Sequence, residues 1–189
     1  WRPYIKGRVV GVTGSVGKTT TKNFIRDVLS AKYAVVATRG NQNNELGAPR
    51  TLLSVDPSTE YAVVEMGMQE LGEIAFLCDF VRPDWGVISC VGESHIEFLG
   101  SRENIARAKS ELFAALPGGG MAFVNADDDF AGFVCENAGL ARRNVRISAF
   151  DGKGDADTET LSALTGTKAD GHVAAWASDV ALNEEGCPR

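Results

Sequence analysis

The chain has 189 residues, 44% hydrophobic and 23% charged, the make-up of one ordinary globular domain with a full core. A formal charge of −6, with no Lys/Arg cluster, excludes a nucleic-acid partner held on a basic face. No apolar run approaches the roughly 18 residues of a membrane span and no signal peptide opens the chain, so neither membrane insertion nor export is expected and the reading is a cytoplasmic protein.

The first strand begins within ten residues of Trp1, which has no initiator methionine before it, so a piece of a longer protein is expected. Val9 to Val12 read as a buried strand, followed by a turn containing Gly14 and Gly17 and then Lys18, Thr19 and Thr20. Strand, glycine-rich turn and helix in that order form a phosphate-binding loop, in which backbone N–H groups and a helix N-terminus point at an anion. The expected nucleotide-binding set is Gly14, Ser15, Val16, Gly17, Lys18, Thr19 and Thr20. Lys18 would reach the β/γ-phosphates of a nucleoside triphosphate and the Thr19 hydroxyl would hold Mg²⁺. The loop is a short G-x-x-G-K-T, since Val12 stands where the usual pattern has its first glycine.

A helix follows from Lys18 to about Ala31, with Phe24, Ile25, Val28 and Leu29 as its apolar stripe. Tyr33–Ala37 is a short strand, Thr38 to Gly47 a polar loop, and a short helix opens near Pro49. Glu60 to Met66 is the next strand, and Leu71, Ile74, Ala75 and Cys78 make the following helix amphipathic. Trp85 to Val91 is a buried strand; a loop with Gly92, His95 and Gly100 leads to a helix capped by Ser101 and ending about Leu116. Met121–Val124 and Val145–Phe150 are strands around a helix over Asp129–Ala138. The alternation predicts βαβ crossovers and an α/β fold: a mainly parallel sheet flanked by helices, a P-loop NTPase-like three-layer sandwich. Residues 1–150 form its core; 151–189 read as a Gly/Asp/Thr/Ser loop to Gly171, then one strand of a partial hairpin over His172–Leu182 turning at Asn183–Gly186. Of the four cysteines, Cys78, Cys90, Cys135 and Cys187, three fall in apolar patterns and read as buried reduced thiols.

Ligands of parallel sheets sit at the carboxyl ends of the strands. Thr19, Glu65 and His95 fall there. A carboxylate ending an apolar strand is costly unless paired or metal-bound, so Glu65 either bridges to a nearby Lys or Arg or holds Mg²⁺. His95 is polar surface or a ligand. In the helix after Ser101, Lys109 falls amid the stripe Ile105, Ala108, Leu112, Phe113, Leu116. A buried ammonium tends to the neutral amine, which with CO₂ gives an anionic carbamate able to bind a cation; from the residues alone, snorkelling is the simpler account. The amides of Asn41, Gln42, Asn43 and Asn44 suit ligand binding or simply a turn, and Asn125–Asp129 reads as a turn and N-cap rather than a metal site.

The segments TGSVGKTTTK, NQNNELGAPRTLL, VVEMGMQELGEIA, VGESHIEFLGSRENIARAKSEL and VNADD resemble the central ATP-binding domain of the Mur ligases. Within that family the resemblance is nearest to members that add D-alanyl-D-alanine to UDP-MurNAc-tripeptide in peptidoglycan synthesis. It covers residues 7 to 150 densely and 172 to 189 loosely, and the family's own T-G-x-x-G-K-[ST] accounts for the shortened loop. The resemblance implies ATP and Mg²⁺, with Lys18 and Thr19 on phosphate and metal, Glu65 sharing the metal, and His95 on a second Mg²⁺. It makes Lys109 the family's carbamylated lysine, and Lys18, Lys109 and His95 the catalytic set. Asn41, Asn43 and Asn44 would face the nucleotide-linked substrate. A two-step ligation through an acyl phosphate is implied, in a monomeric cytoplasmic enzyme. The family's flanking substrate and amine-binding domains are not in this sequence, so the isolated piece is expected to ligate nothing and bind ATP weakly. Related amide ligases, such as other Mur enzymes or folylpolyglutamate synthase, and a P-loop regulatory NTPase are the alternatives.

Overall fold

The computed structural model describes Ile5, residues 7–151 and Ala175–Trp176. Among them run β1 (Arg8–Thr13), α1 (Lys18–Ser30), β2 (Val35–Ala37), α2 (Gly47–Leu53), β3 (Tyr61–Glu65), α3 (Glu73–Val81) and β4 (Trp85–Ile88). They continue with α4 (Ile96–Leu99), α5 (Arg102–Ala114), β5 (Met121–Asn125), α6 (Ala131–Asn137), a 3₁₀ turn (Leu140–Arg143), β6 (Arg146–Asp151) and β7 (Ala175–Trp176). The strands form one seven-stranded sheet in the order β2-β3-β1-β4-β5-β6-β7, and every pairing is parallel. Parallel neighbours require crossovers, and the helices supply them.

Alternate residues of each strand face opposite ways. Val9, Ala62, Val64, Ile88 and Val124 join the larger core beneath α2, α3, α5 and α6. Val10, Val12, Val63 and Val87 face the other way, where Ile25 and Leu29 of α1 pack on them. Helices therefore lie on both faces of the sheet, and the three-layer expectation holds.

Three helical details differ from the sequence reading. Phe24 and Val28 are 67% and 73% exposed, because the buried stripe of α1 runs through Lys22, Ile25 and Leu29, more than a quarter-turn away. In α3 the buried set is Ile74, Leu77, Cys78 and Val81; Gly72 is left-handed (φ 90) and starts the helix after Leu71, which is left exposed, as is Ala75. The four-residue α4 interrupts the loop read as irregular, being too short to show a period. Ser101 does cap α5, its hydroxyl accepting from the Asn104 N–H at 3.2 Å. Cys78 and Cys135 are buried, and burial pushes both thiols up to about 12. Cys90 is instead only half-buried. Of the segment read as a partial hairpin, Ala175–Trp176 pairs parallel to β6; the rest of it, the loop before it and Cys187 lie outside the described residues.

Candidate active site

At the end of β1 the chain turns through Gly14 (φ 151) and Gly17 (φ 80) into α1. A Cβ on Gly14 would sit 1.9 Å from the Ser89 Oγ, so the turn tolerates only glycine there. No side chain caps α1; its first-turn N–H groups lack intrahelical acceptors and add to the positive end of the helix dipole. An anion is the partner they lack. Lys18 folds back over the loop, its Nζ donating to the carbonyls of Gly14 (2.7 Å) and Ser15 (3.2 Å). Burial pulls its ammonium pKa down, and the nearby Glu65 charge opposes the fall. Val16, Gly17 and Thr20 are exposed along the loop and first turn. Ser15 is not: its N–H donates to the Cys90 carbonyl (2.9 Å) and its hydroxyl accepts from the Gly92 N–H (2.8 Å). Ser15 thus braces the loop against the segment after β4, its N–H already engaged there.

Glu65 closes β3 beside this loop. Its Oε1 accepts from the Thr19 hydroxyl at 3.1 Å and from the Asn43 amide at 2.8 Å. Its Oε2 lies 3.5 Å from the Lys22 ammonium, with both side chains only 1% exposed. Oε2 is buried and has no hydrogen-bond partner among the described residues. Glu65 is therefore ion-paired to a lysine, as the first alternative expects, and its other oxygen touches the threonine expected at a metal. The sequence reading missed Lys22; its place in the Ile25/Leu29 stripe was the available signal, the same one that marked Lys109.

Lys109 is 1% exposed on α5, so it does not snorkel. Burial pushes its pKa down to about 7, and the charge of Lys18 adds to the fall. No hydrogen bond or ion pair reaches its Nζ among the described residues. His95 stands at the start of α4 in a left-handed conformation (φ 69), its ring 6.5 Å from that of Phe98. It shares a cavity of about 870 Å³ with Lys18, Asn43, Asn44, Gly67 and Phe76. No contact joins His95 to Glu65 among the described residues.

The asparagine loop divides. Asn43 and Asn44 reach the cavity and Asn41 does not line it. Asn44 also accepts from the Gly47 N–H (3.0 Å), fixing the entry to α2. Asp128 accepts from the N–H groups of Phe130 and Val91, so the Asn125–Asp129 stretch is a turn and a strut.

Among the described residues no three His, Cys, Asp or Glu converge as a metal site. The Thr19 hydroxyl and Glu65 carboxylate are nevertheless hard oxygen donors side by side. They suit Mg²⁺, which keeps several waters and takes one or two protein oxygens together with phosphate oxygens.

The Mur ligase middle domain family matches residues 12–181. A UDP-N-acetylmuramoyl-tripeptide–D-alanyl-D-alanine ligase from Synechocystis is 48% identical over 128 residues, which cover 68% of this chain and 28% of that protein. The crystal structure of MurF from Acinetobacter baumannii superposes with a TM-score of 0.79 at 31% identity, over 96% of this chain and 35% of that one. MurF ligase from Thermotoga maritima, solved in complex with ADP, gives 0.66 at 34% identity, over 80% and 34% of the two chains. The chain thus spans about a third or less of the length of these relatives.

Proposed function

The chain belongs to the Mur ligase family, and from that premise we propose that it is the ATP-binding domain of a ligase joining D-alanyl-D-alanine to UDP-MurNAc-tripeptide in peptidoglycan synthesis. The observation that carries this reading is the contact of Thr19 with Glu65 at the mouth of the phosphate loop. It sets a metal-competent oxygen pair directly beside the lysine of a triphosphate site.

In this reading the γ-phosphoryl group of ATP passes to the terminal carboxylate of the tripeptide, leaving ADP and an acyl phosphate. The amine of D-alanyl-D-alanine then attacks the acyl carbon, phosphate departs and the amine loses a proton. The chain's own part is positioning and charge neutralisation. The α1 N–H groups and Lys18 hold the phosphates, and Lys18 exchanges the Gly14 and Ser15 carbonyls for phosphate oxygens as it does so. Thr19 and Glu65 would hold Mg²⁺, with His95 contributing to a second ion; bound there, magnesium offsets the charge that builds on the transferred group. Asn43 and Asn44 orient the carboxyl substrate from the cavity wall.

Lys109 fits the carbamate reading on its surroundings: a buried amine with no hydrogen-bond partner among the described residues and a pKa near neutrality can add CO₂, releasing one proton and gaining a negative charge. The carbamate would then ligate the second cation with His95. No described helix is long and apolar enough to cross a membrane, and we place the ligase in the cytoplasm as a monomer.

The test is phosphate release by the full-length ligase. Release that requires UDP-MurNAc-tripeptide and D-alanyl-D-alanine together supports the proposal; sustained turnover with neither supports a regulatory NTPase instead. A diamino acid or glutamate as the required amine would point to another ligase of the same superfamily.

A further inference from the structure

Lys22 stands one helical turn beyond the phosphate-loop lysine and is 1% exposed. Its Nζ donates to the carbonyls of Thr38 and Gly40, each at 2.8 Å, and lies 3.5 Å from Glu65 Oε2. An ammonium has three hydrogens and no acceptor; two of them meet the Thr38 and Gly40 carbonyls, and the charge faces the Glu65 carboxylate as an ion pair. These oxygens come from two separate elements: the segment leaving β2 and the end of β3. Buried ion pairs are weak sources of stability, since desolvation offsets most of the attraction, and an apolar pair of equal volume often does as well. The geometry of Lys22 suggests what it does instead.

The Thr38 and Gly40 carbonyls sit immediately before the asparagine loop. Gly40 is left-handed (φ 54) and turns the chain into it. From there the loop returns to the same carboxylate: the Asn43 amide donates to Glu65 Oε1 at 2.8 Å, and the Asn43 carbonyl accepts from the Gly67 N–H at 2.8 Å. Glu65 is thus gripped on one oxygen by α1 through Lys22, and on the other by Thr19 and by the loop that Lys22 itself anchors. The Thr38 hydroxyl accepts from the Glu65 N–H at 3.0 Å and adds a second tie between the loop and β3.

We propose that Lys22 is a positioning residue that locks the asparagine loop and the Glu65 carboxylate to the phosphate-loop helix, so that the nucleotide end and the carboxyl-substrate end of the cavity keep one fixed registration. This rests on the ligase reading above. Lys22 touches neither substrate; it acts through Asn43, Asn44 and Glu65.

The test compares Lys22→Met and Lys22→Arg with wild type in the full-length ligase. The expected result for Lys22→Met is a KM for UDP-MurNAc-tripeptide raised about tenfold or more, from loss of charge-assisted bonds that seat the loop. The KM for D-alanyl-D-alanine stays within about twofold. Lys22→Arg keeps charge and donors and should recover part of the loss. Amide hydrogen exchange of the 189-residue chain supplies a readout independent of activity: Lys22→Met should speed exchange of the Asn43, Gly47 and Gly67 amides while those of β4 and β5 remain protected.

Equal changes in all substrate constants, or uniformly faster exchange across the sheet, would make Lys22 a merely structural residue and overturn the proposal. Failure of both variants to fold would do the same. If wild type shows no turnover that depends on the tripeptide, it is the ligase reading that fails; the exchange pattern then judges the brace alone.

Discussion

Lys109 gives the most direct physical test, because its burial converts into a pH-dependent stability. Its pKa falls from 10.5 to about 7 in the folded chain, a difference worth roughly 5 kcal/mol at the outside. Below about pH 7 both the folded and unfolded chains carry the proton, and the folded chain bears the full cost of a buried charge. Between about 7 and 10.5 the unfolded chain binds more protons than the native one, so stability rises with pH, by up to about 1.4 kcal/mol per unit. Above that window the contribution is constant. Lys109→Met lacks the titration and fills the same apolar slot among Ile105, Leu112 and Phe113. Its stability advantage over wild type should therefore be largest below about pH 7 and shrink by about 2 kcal/mol or more by about pH 9. Urea unfolding of both chains in bicarbonate-free buffer measures the difference. Parallel stability curves across that range would show that the amine stays solvated, and the argument for a neutral, CO₂-reactive lysine would fall with it.

Two further outcomes follow from the same geometry. Gly14→Ala forces a Cβ to within 1.9 Å of the Ser89 Oγ at φ 151, so the phosphate loop must move. Affinity for Mg-ADP, measured by calorimetry, should fall about tenfold or more, and unchanged affinity would show that the loop N–H groups do not bind the phosphates. Glu111→Ala removes the carboxylate of α5 that accepts from the N–H groups of Gly72 (2.8 Å) and Ala75 (2.9 Å) at the start of α3. A loss of about 1–2 kcal/mol in urea unfolding is expected; an unshifted midpoint would mean that water replaces the cap at no cost.

The strands, the order of crossovers and the phosphate loop were legible because each is written locally: β-branched runs of the right length, and a glycine-framed turn before a lysine and two threonines. Ser101 was legible for the same reason, its cap lying three residues from its partner. What escaped was tertiary. Hydrophobic period alone drew the α1 stripe through Phe24 and Val28, whereas its true inner face is set by the Thr38 and Gly40 carbonyls, which reach α1 from a different crossover. Ser15 was read as part of the phosphate cradle; its ties to the Cys90 carbonyl and the Gly92 amide, far along the chain, could not be read from local sequence. Asn41 belongs to the same loop, but of its asparagines the turn carries Asn43 and Asn44 to the cavity.

The two buried lysines show how much that tertiary step decides. Lys22 and Lys109 each interrupt the apolar face of a helix, and a wheel drawn from the sequence treats them alike. In the fold Lys22 donates to two backbone carbonyls and is ion-paired with a carboxylate. Those contacts tie it to the loop before Asn43 and to β3. Lys109 meets no hydrogen-bond acceptor among the described residues, and its electrostatic neighbours include the like charge of Lys18. Burial without a partner favours loss of the proton, which lowers the pKa of Lys109 to about 7. The first lysine is thereby tied into its surroundings and the second is inclined to the neutral amine that the carbamate proposal requires, a division that helical spacing alone does not contain.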